Sequence, residues 1–275
     1  LFKPYNALSM RLLFILALCV LSFTSEAVVT RHDVSSESYA VQSFPGYMID
    51  MPHEGHGVLI HEQWIVTVAH TIFYDYVGKQ FPIDDNLYEI KSVHIHPEYS
   101  QPDKKLFEGD LAPLMKHFKE RSDIALVKLN KPVTGKTPIK IYTGDKEKGK
   151  TITVYGKGAM GNGLTGKDLD TKPLRKMNKF QNVVEHSESN WLIFKFDKPE
   201  HALPLEGMHG SGDSGGASVI FEEGVPYLVG LSSWQFAEGD ISSFKGGLYG
   251  TKVYQVRVSS YYNWINKALN GANIQ

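Results

Sequence analysis

A serine, a histidine and an aspartate lie in three separate segments whose residue types suit nucleophilic catalysis. Ser214 lies in residues 210–216 (GSGDSGG), where glycines permit a tight turn that exposes the hydroxyl and directs backbone N–H groups at one point. His70 ends the apolar run WIVTVAH, and Asp123 opens the apolar run DIALVKL. A serine nucleophile needs a neighbouring base, and a histidine base needs a partner that orients it. By itself the glycine-rich segment is equally compatible with a flexible loop, but the three segments together predict a Ser-His-Asp site.

The elements that must position these residues are mostly short apolar runs of strand length. They are rich in β-branched and aromatic residues and are separated by Gly, Pro and Asp/Asn, which predicts an all-β sandwich or barrel. Residues 101–121 differ, because they are charged and predict a long surface loop with a short helix over 111–120. Residues 258–269 place apolar side chains at helical spacing and predict an amphipathic C-terminal helix, capped by Ser259 or Ser260.

Composition excludes several classes of protein. The chain has 275 residues, of which 42% are hydrophobic and 21% charged, so long disorder and coiled coil are excluded. The formal net charge of -1 gives no support for a nucleic-acid partner or a polybasic membrane contact. Cys19 is the single cysteine, which excludes an intrachain disulfide and a cysteine-rich zinc site.

Residues 10–27 have the layout of a secretory signal peptide. Met10 and Arg11 precede the apolar run 12–21, and Ser25 and Ala27 occupy the -3 and -1 positions of a cleavage site. Residues 1–9 are then untrimmed upstream translation. Cleavage after Ala27 leaves a mature chain without cysteine, and no Asn-x-Ser/Thr sequon occurs in the sequence. These features predict an exported protein, periplasmic or secreted and of bacterial origin, with no membrane association once the signal is removed.

The three motifs resemble those of the trypsin/chymotrypsin-like serine proteases. VTVAH at 66–70 corresponds to the histidine motif, DIALVKL at 123–129 to the aspartate motif and GDSGG at 212–216 to the serine motif. Weaker matches in the same order extend the resemblance over residues 40–269. It implies an all-β fold of two packed antiparallel six-stranded β-barrels with a C-terminal α-helix. The expected divisions are upstream residues and signal 1–27, the barrel carrying His70 and Asp123 at 28–135, the barrel carrying Ser214 at 136–257, and the helix and tail at 258–275.

The resemblance also implies roles for individual residues. Ser214 attacks the scissile carbonyl, His70 moves the proton, Asp123 orients His70, and the N–H groups of Gly212 and Ser214 form the oxyanion hole. The implied activity is a serine endopeptidase acting on polypeptides through an acyl-enzyme, as a monomer without cofactor or metal. The alternative is a latent or proteolytically silent binding protein on the same fold. An α/β-hydrolase esterase is excluded, since that fold alternates strands with helices and orders its triad Ser, acid, His.

Departures from the family pattern bear on specificity. The resemblance assigns six residues to the substrate pocket: Met208, His209, Ser233, Trp234, Gln235 and Gly247. Met208 stands at the pocket base, where trypsin-like members have an aspartate. A neutral thioether disfavours Arg or Lys before the cleaved bond, so an apolar residue is predicted there. His209 lies on the wall, with an acidic substrate side chain as the alternative partner, and Gln235 narrows the mouth. The cysteines that usually flank this pocket are absent.

Two further features leave alternatives open. Asp213 is expected to pair either with the ammonium of a new Val28 terminus or with an internal cation such as Arg31. His53, His56 and His61 allow a metal site, but their spacing lacks the helical His-Glu-x-x-His pattern, and a surface loop is the preferred interpretation.

Overall fold

The computed structural model describes residues 28–168, 176–272 and 274. The predicted signal peptide, residues 10–27, lies outside this part of the chain. Most of the regular secondary structure in this part of the chain is β. In chain order the strands are β1 Val28–Thr30, β2 Met48–Asp50, β3 His56–His61, β4 Trp64–Thr67, β5 Gln80–Ile83, β6 Asn86–Ile95, β7 Ala125–Leu129, β8 Lys140–Ile141, β9 Thr151–Gly156, β10 Met160–Asn162, β11 Gly166–Lys167, β12 Asn178–Val183, β13 His186–Glu188, β14 Trp191–Lys195, β15 Gly207–Met208, β16 Ala217–Glu222, β17 Val225–Gln235 and β18 Lys252–Arg257. The α-helices are α1 Ala112–Glu120 and α2 Tyr262–Leu269.

The strands of the N-terminal half form one curled antiparallel sheet. Its order is β2-β3-β4-β7-β6-β5, six strands as predicted. Strands β4 and β7 are neighbours in register, with Thr67 opposite Ala125. His70 follows Thr67 by three residues, and Asp123 precedes Ala125 by two. The pairing therefore brings the histidine and the aspartate to the same edge of the sheet.

The strands of the C-terminal half form a second curled sheet with the order β12-β9-β16-β17-β18-β14-β13. Strand β8 joins β17 in parallel, so this sheet has eight strands within the described residues rather than the predicted six. The short strand β1, expected with the first barrel, instead pairs with β10 and β15 of the C-terminal half. The all-β prediction with two barrel-like sheets and a C-terminal helix is confirmed.

Three groups of buried apolar side chains stabilise this arrangement. One fills the first sheet and includes Leu59, Ile65 and Val127, and a second fills the other sheet and β1. The third group is shared, because Val66 of β4 and Trp234 of β17 belong to the same cluster. Burial of apolar area is the main favourable term in folding, so the shared cluster ties the two sheets together.

The two helices lie at the predicted positions, with one difference. α1 forms within residues 101–121, and its buried Leu114 and Met115 pack on the shared cluster. α2 buries Ile265 and Ala268. The predicted serine cap of α2 is wrong, because Ser259 Oγ donates to Glu147 Oε1 at 2.9 Å. Ser260 Oγ donates to the Ser189 carbonyl instead. Within the described ranges, no helix is long and apolar enough to cross a bilayer.

Candidate active site

The predicted nucleophile, base and carboxylate form one line of hydrogen bonds. His70 lies in the short 3-10 turn Ala69–Thr71 after β4, and its Nδ1 is 2.7 Å from Asp123 Oδ2. Its Nε2 is 2.8 Å from Ser214 Oγ. An ionised carboxylate only accepts hydrogen bonds, so Nδ1 carries the proton and Nε2 accepts from the Ser214 hydroxyl. The imidazole is thus held in the tautomer that can receive the serine proton.

Asp123 is completely buried and fully hydrogen-bonded. Its Oδ1 accepts from the His70 backbone N–H at 2.8 Å, and its Oδ2 accepts from Ser233 Oγ at 2.5 Å and Arg121 Nη2 at 3.3 Å. Burial by itself raises the pKa of this carboxyl, but His70, Arg121 and Ser233 outweigh it and hold the pKa of Asp123 below its usual range. The group therefore stays ionised beside His70.

The loop that carries Ser214 is held by close backbone packing against strand β3. His56 N–H donates to the Ser214 carbonyl at 2.7 Å. A Cβ on Gly55 would lie 2.8 Å from that carbonyl oxygen, and one on Gly215 would lie 2.0 Å from the His56 oxygen. Both glycines also have positive φ, which L-residues rarely adopt. Only glycine at these two positions allows the loop to approach the strand so closely.

Two backbone N–H groups of the loop are free to bind an oxyanion. Gly212 has a φ of 89°. Within the described part of the chain, the N–H groups of Gly212 and Ser214 donate to no other protein group. Asp213, between them, is buried, and its carboxylate accepts from the backbone N–H groups of Gly158 and Gly210. Free N–H groups beside a nucleophile match the geometry that stabilises tetrahedral intermediates.

A cavity of about 530 Å³ opens beside Ser214. Of the six predicted pocket residues, His209, Ser233, Trp234 and Gln235 line it. Gln235 Oε1 accepts from the Gly247 N–H at 3.2 Å, and Gly247 itself does not line the cavity. Narrowing of the pocket mouth by Gln235 stays a prediction. Met208 is a correction: it is fully buried in β15, packs in the core of the second sheet and does not line the cavity.

Helix α1 forms the apolar side of the cavity, together with the loop after β17. Leu114, Met115 and Phe118 of the helix face the cavity, as do Ile241 and Phe244 of the loop. Two backbone hydrogen bonds join these segments. Leu111 N–H donates to Gly239 O at 2.9 Å, and Ile241 N–H donates to Gly109 O at 2.8 Å. Residues 101–121 therefore border the cleft.

The Asp213 carboxylate does not pair with Arg31, one of the two partners expected for it. Its Oδ1 accepts from Gly158 N–H at 2.6 Å and its Oδ2 from Gly210 N–H at 2.7 Å. Arg31, the internal cation considered, pairs with Asp33 at 2.6 Å instead. Burial raises the pKa of Asp213 despite these donors and the nearby charge of Lys167. Val28 insertion stays a prediction.

Sequence reasoning missed two residues of this region. Lys167 of β11 lines the cavity, and Arg121 lines it while bonding Asp123. Arg121 is two residues from Asp123, so adjacency was an available signal. Lys167 has none, because it is 47 residues from Ser214 and reaches the cavity only through the folding of the segment 158–168. Among the described residues, no group of three or more His, Cys, Asp or Glu side chains is arranged to hold a metal.

A hydrogen-bonded Ser-His-Asp line between two antiparallel β-sheets, with free N–H groups at the serine, is the arrangement that defines serine-protease-type sites. The family described as Trypsin matches residues 33–265, and the chain belongs to this family.

The relatives are distant. Trypsin from Phaedon cochleariae is 27% identical over 282 residues, covering 92% of this chain and 97% of that protein. Complement C1r-A subcomponent from Mus musculus is 28% identical, covering 84% of this chain and 33% of that protein. Vitamin K-dependent protein C from Rattus norvegicus is 24% identical, covering 79% and 46%. The chain therefore spans a third to about half the length of the latter two. All three come from eukaryotes, so the bacterial origin stays a prediction.

Proposed function

We propose that this chain is an exported serine endopeptidase that hydrolyses peptide bonds through an acyl-enzyme. Ser214 is the nucleophile, His70 the general base and acid, and Asp123 the residue that orients His70. The observation that carries the proposal is the pair of short contacts at His70, 2.8 Å to Ser214 Oγ and 2.7 Å to Asp123 Oδ2. Membership of the trypsin family supports it.

The mechanism follows from the protonation states. Ser214 Oγ attacks the carbonyl carbon while His70 Nε2 takes its proton, and Asp123 stabilises the imidazolium that results. The carbonyl oxygen becomes an oxyanion and accepts from the N–H groups of Gly212 and Ser214. His70 then gives the proton to the leaving amine, and the acyl-enzyme forms. Water, deprotonated by His70, attacks the ester and releases the second product.

The charge of Lys167, rather than the identity of Met208, disfavours Arg or Lys before the cleaved bond. Lys167 lines the cavity, and its positive charge repels a cationic side chain that enters. The apolar preference was based on Met208, which lies outside the cavity, and it stays a prediction. The apolar surface formed by Leu114, Met115 and Phe118 suits other apolar residues of the substrate chain.

Export, the divisions of the chain and the monomeric state belong to the same proposal. Removal of residues 10–27 leaves a chain that starts at Val28, followed by one unit carrying His70 and Asp123 and another carrying Ser214. The shared apolar cluster between the sheets supports one compact catalytic unit. Fractionation of the source cells distinguishes a periplasmic protein from one that is released from the cell.

The test is labelling of residues 28–275, produced with an authentic Val28 start, by a fluorophosphonate probe. We expect wild type to be labelled and Ser214→Ala and His70→Ala to remain unlabelled, because the probe needs an activated serine. A general peptide library then shows cleavage. A folded wild-type sample that neither reacts nor becomes reactive after limited proteolysis is a silent binding protein, and the proposal is then wrong.

A further inference from the structure

The cavity beside Ser214 is lined by a lysine, Lys167, that has no ion-pair partner in the part of the chain that the structure describes. Lys167 Nζ makes no hydrogen bond and no ion pair within 4 Å of a carboxylate in the described part of the chain. Several other cations with little solvent exposure are paired with carboxylates: Lys157 with Asp50, Lys136 with Asp84, Arg257 with Glu147 and Arg121 with Asp123. Removing a charge from water is costly unless a partner compensates it, so Lys167 is an exception that needs a reason.

The position of Lys167 is built by glycines. Its backbone N–H donates to Gly246 O at 2.8 Å, which seats β11 against residues 246–247. A Cβ on Gly166 would lie 2.7 Å from the Gly246 oxygen, and one on Gly247 would lie 2.9 Å from both Cγ and N of Lys167. The close approach of β11 to residues 246–247 therefore depends on Gly166 and Gly247. It positions the Lys167 side chain so that it lines the cavity.

His209 supplies a second donor next to this charge. Ser218 Oγ donates to Gln255 Oε1 at 2.8 Å, so the Gln255 amide NH₂ faces His209 and donates to Nδ1 at 3.2 Å. With Nδ1 accepting, the ring proton of the neutral imidazole sits on Nε2. Complete burial and the charge of Lys167 keep the pKa of His209 well below its usual range, so the ring stays neutral. It is a fixed hydrogen-bond donor in the wall of the cavity.

Among the residues that the structure describes, no carboxylate lies within ion-pair distance of Lys167. Asp213 attracts it, but both Asp213 oxygens accept backbone N–H groups, from Gly158 and Gly210. Lys245 is exposed on the neighbouring loop and does not line the cavity. Asp168 follows Lys167 but forms its own interaction. The interior of the pocket thus presents an unpaired ammonium and an imidazole N–H donor.

We propose that this pocket binds the side-chain carboxylate of Glu or Asp before the cleaved bond, with Lys167 as its ion-pair partner and His209 as a hydrogen-bond donor. The inference rests on the proposed peptidase function. It goes further by naming the substrate class, and it competes with the apolar preference predicted from Met208. The carboxylate supplies the counter-charge that Lys167 lacks.

The protonation of Lys167 gives the inference a pH signature. Burial lowers the pKa of Lys167 to about 8, partly opposed by Asp213. The ammonium is present below that pH and lost above it. Preference for Glu over Gln therefore falls as the pH rises through about 8, whereas cleavage after Leu does not follow this change.

The first experiment compares fluorogenic tetrapeptides Ac-Ala-Ala-Ala-X with X as Glu, Asp, Gln, Leu or Lys. We expect kcat/KM for Glu or Asp to exceed that for Gln by on the order of 100-fold, the usual range for a hydrogen bond to a charged group. Lys167→Met should reduce this ratio to about 1 and leave cleavage after Leu in place, which also shows that the variant folds. Lys167→Arg should restore part of the ratio.

Lys245→Met is the matched control, because it removes a neighbouring but exposed cation and should leave the ratio unchanged. Wild type that prefers Leu or Gln over both acids, or a Lys167→Met ratio equal to wild type, overturns the inference while fluorophosphonate labelling leaves the proposed function intact.

A binding measurement separates the two proposals when no labelling occurs. Calorimetry in the Ser214→Ala background compares Ac-Ala-Ala-Glu with Ac-Ala-Ala-Gln, which differ only in the charge of one side chain. We expect tighter binding of the Glu peptide and loss of the difference on adding Lys167→Met. Equal binding of the two peptides overturns the acidic pocket, whatever the labelling shows.

Discussion

At the scale of single residues, Asp123 and Lys167 differ in whether neighbouring groups compensate their charge. Asp123 is ionised and completely enclosed, and it is satisfied by four donor contacts from His70, Ser233 and Arg121. Lys167 lines the cavity and has no hydrogen-bond or ion-pair partner among the described residues. A satisfied buried charge positions its neighbours, whereas an unsatisfied one lowers stability until a ligand compensates it.

The first prediction is that Lys167→Met stabilises the protein at pH 7. Burial lowers the pKa of Lys167 in the folded state to about 8, from an ordinary value of 10.5. Below pH 8 the lysine is protonated in both the folded and the unfolded protein, so the full cost of burying the ammonium lowers stability there. This cost disappears as the pH rises towards 10.5, where the lysine is neutral in the folded protein and loses its proton in the unfolded one. Urea denaturation should show a gain in unfolding free energy of about 3.5 kcal/mol at pH 7, because the pKa falls from 10.5 to about 8 and each pKa unit corresponds to about 1.4 kcal/mol.

The gain should shrink at pH 10. Lys245→Met, at an exposed position, should show little change at either pH. A variant that is less stable than wild type at pH 7 would mean that Lys167 has a structural partner, contrary to the free ammonium described above.

At the scale of elements, the site depends on contacts between segments that are distant along the chain. The β4–β7 pairing brings His70 to Asp123, and strand β3 meets the Ser214 loop through glycine contacts. Strand β1 pairs with β10, placing Val28 opposite Met160. Met160 is two residues from Gly158, which contacts Asp213. This proximity supports the hypothesis that a free Val28 ammonium pairs with Asp213.

The second prediction concerns the contact between β3 and the nucleophile loop. Gly215→Ala introduces a Cβ 2.0 Å from the His56 oxygen, whereas Gly224→Ala, at a similar positive φ of 81°, meets open space. We expect Gly224→Ala to cost about 1 kcal/mol, from the left-handed backbone alone. Gly215→Ala should cost about 3 kcal/mol or more and abolish fluorophosphonate labelling. Urea denaturation of the pair measures the difference, and equal losses would refute the packing argument.

The third prediction concerns the N-terminus. One glycine added before Val28 moves the ammonium away from Asp213, so labelling and peptidase activity should fall at least about 100-fold if a buried ion pair is lost. Mass spectrometry confirms the termini of both proteins. Full activity of the extended form would show that no terminal ammonium is needed.

At the scale of the whole molecule, the two curled sheets share one apolar cluster. Trp191 and Trp234 meet edge to face at 5.6 Å, and Trp234 stacks on Tyr254 at 3.8 Å. Trp191 Nε1–H also donates to the Lys119 carbonyl at the end of α1. These contacts connect the helix beside the cleft with the second sheet.

The fourth prediction is that the sheets unfold together. Separating them would expose the shared cluster, so no half-unfolded state should accumulate. Urea transitions followed by tryptophan fluorescence, far-ultraviolet circular dichroism and loss of labelling should coincide. A labelling transition at clearly lower urea than the loss of β-structure would show that the halves separate first.

The local sequence determined the strand-rich fold, the helices near 111–120 and 258–269, and the identity and order of His70, Asp123 and Ser214. Hydrophobic periodicity and short motifs act over neighbouring residues, so they can be read without coordinates. The tertiary structure decided that Met208 lies in the core, that Lys167 lines the cavity and that Arg31 pairs with Asp33 rather than with Asp213. It also decided that the second sheet has eight strands within the described ranges. These features depend on register and packing between distant segments, and no local pattern in the chain encodes those contacts.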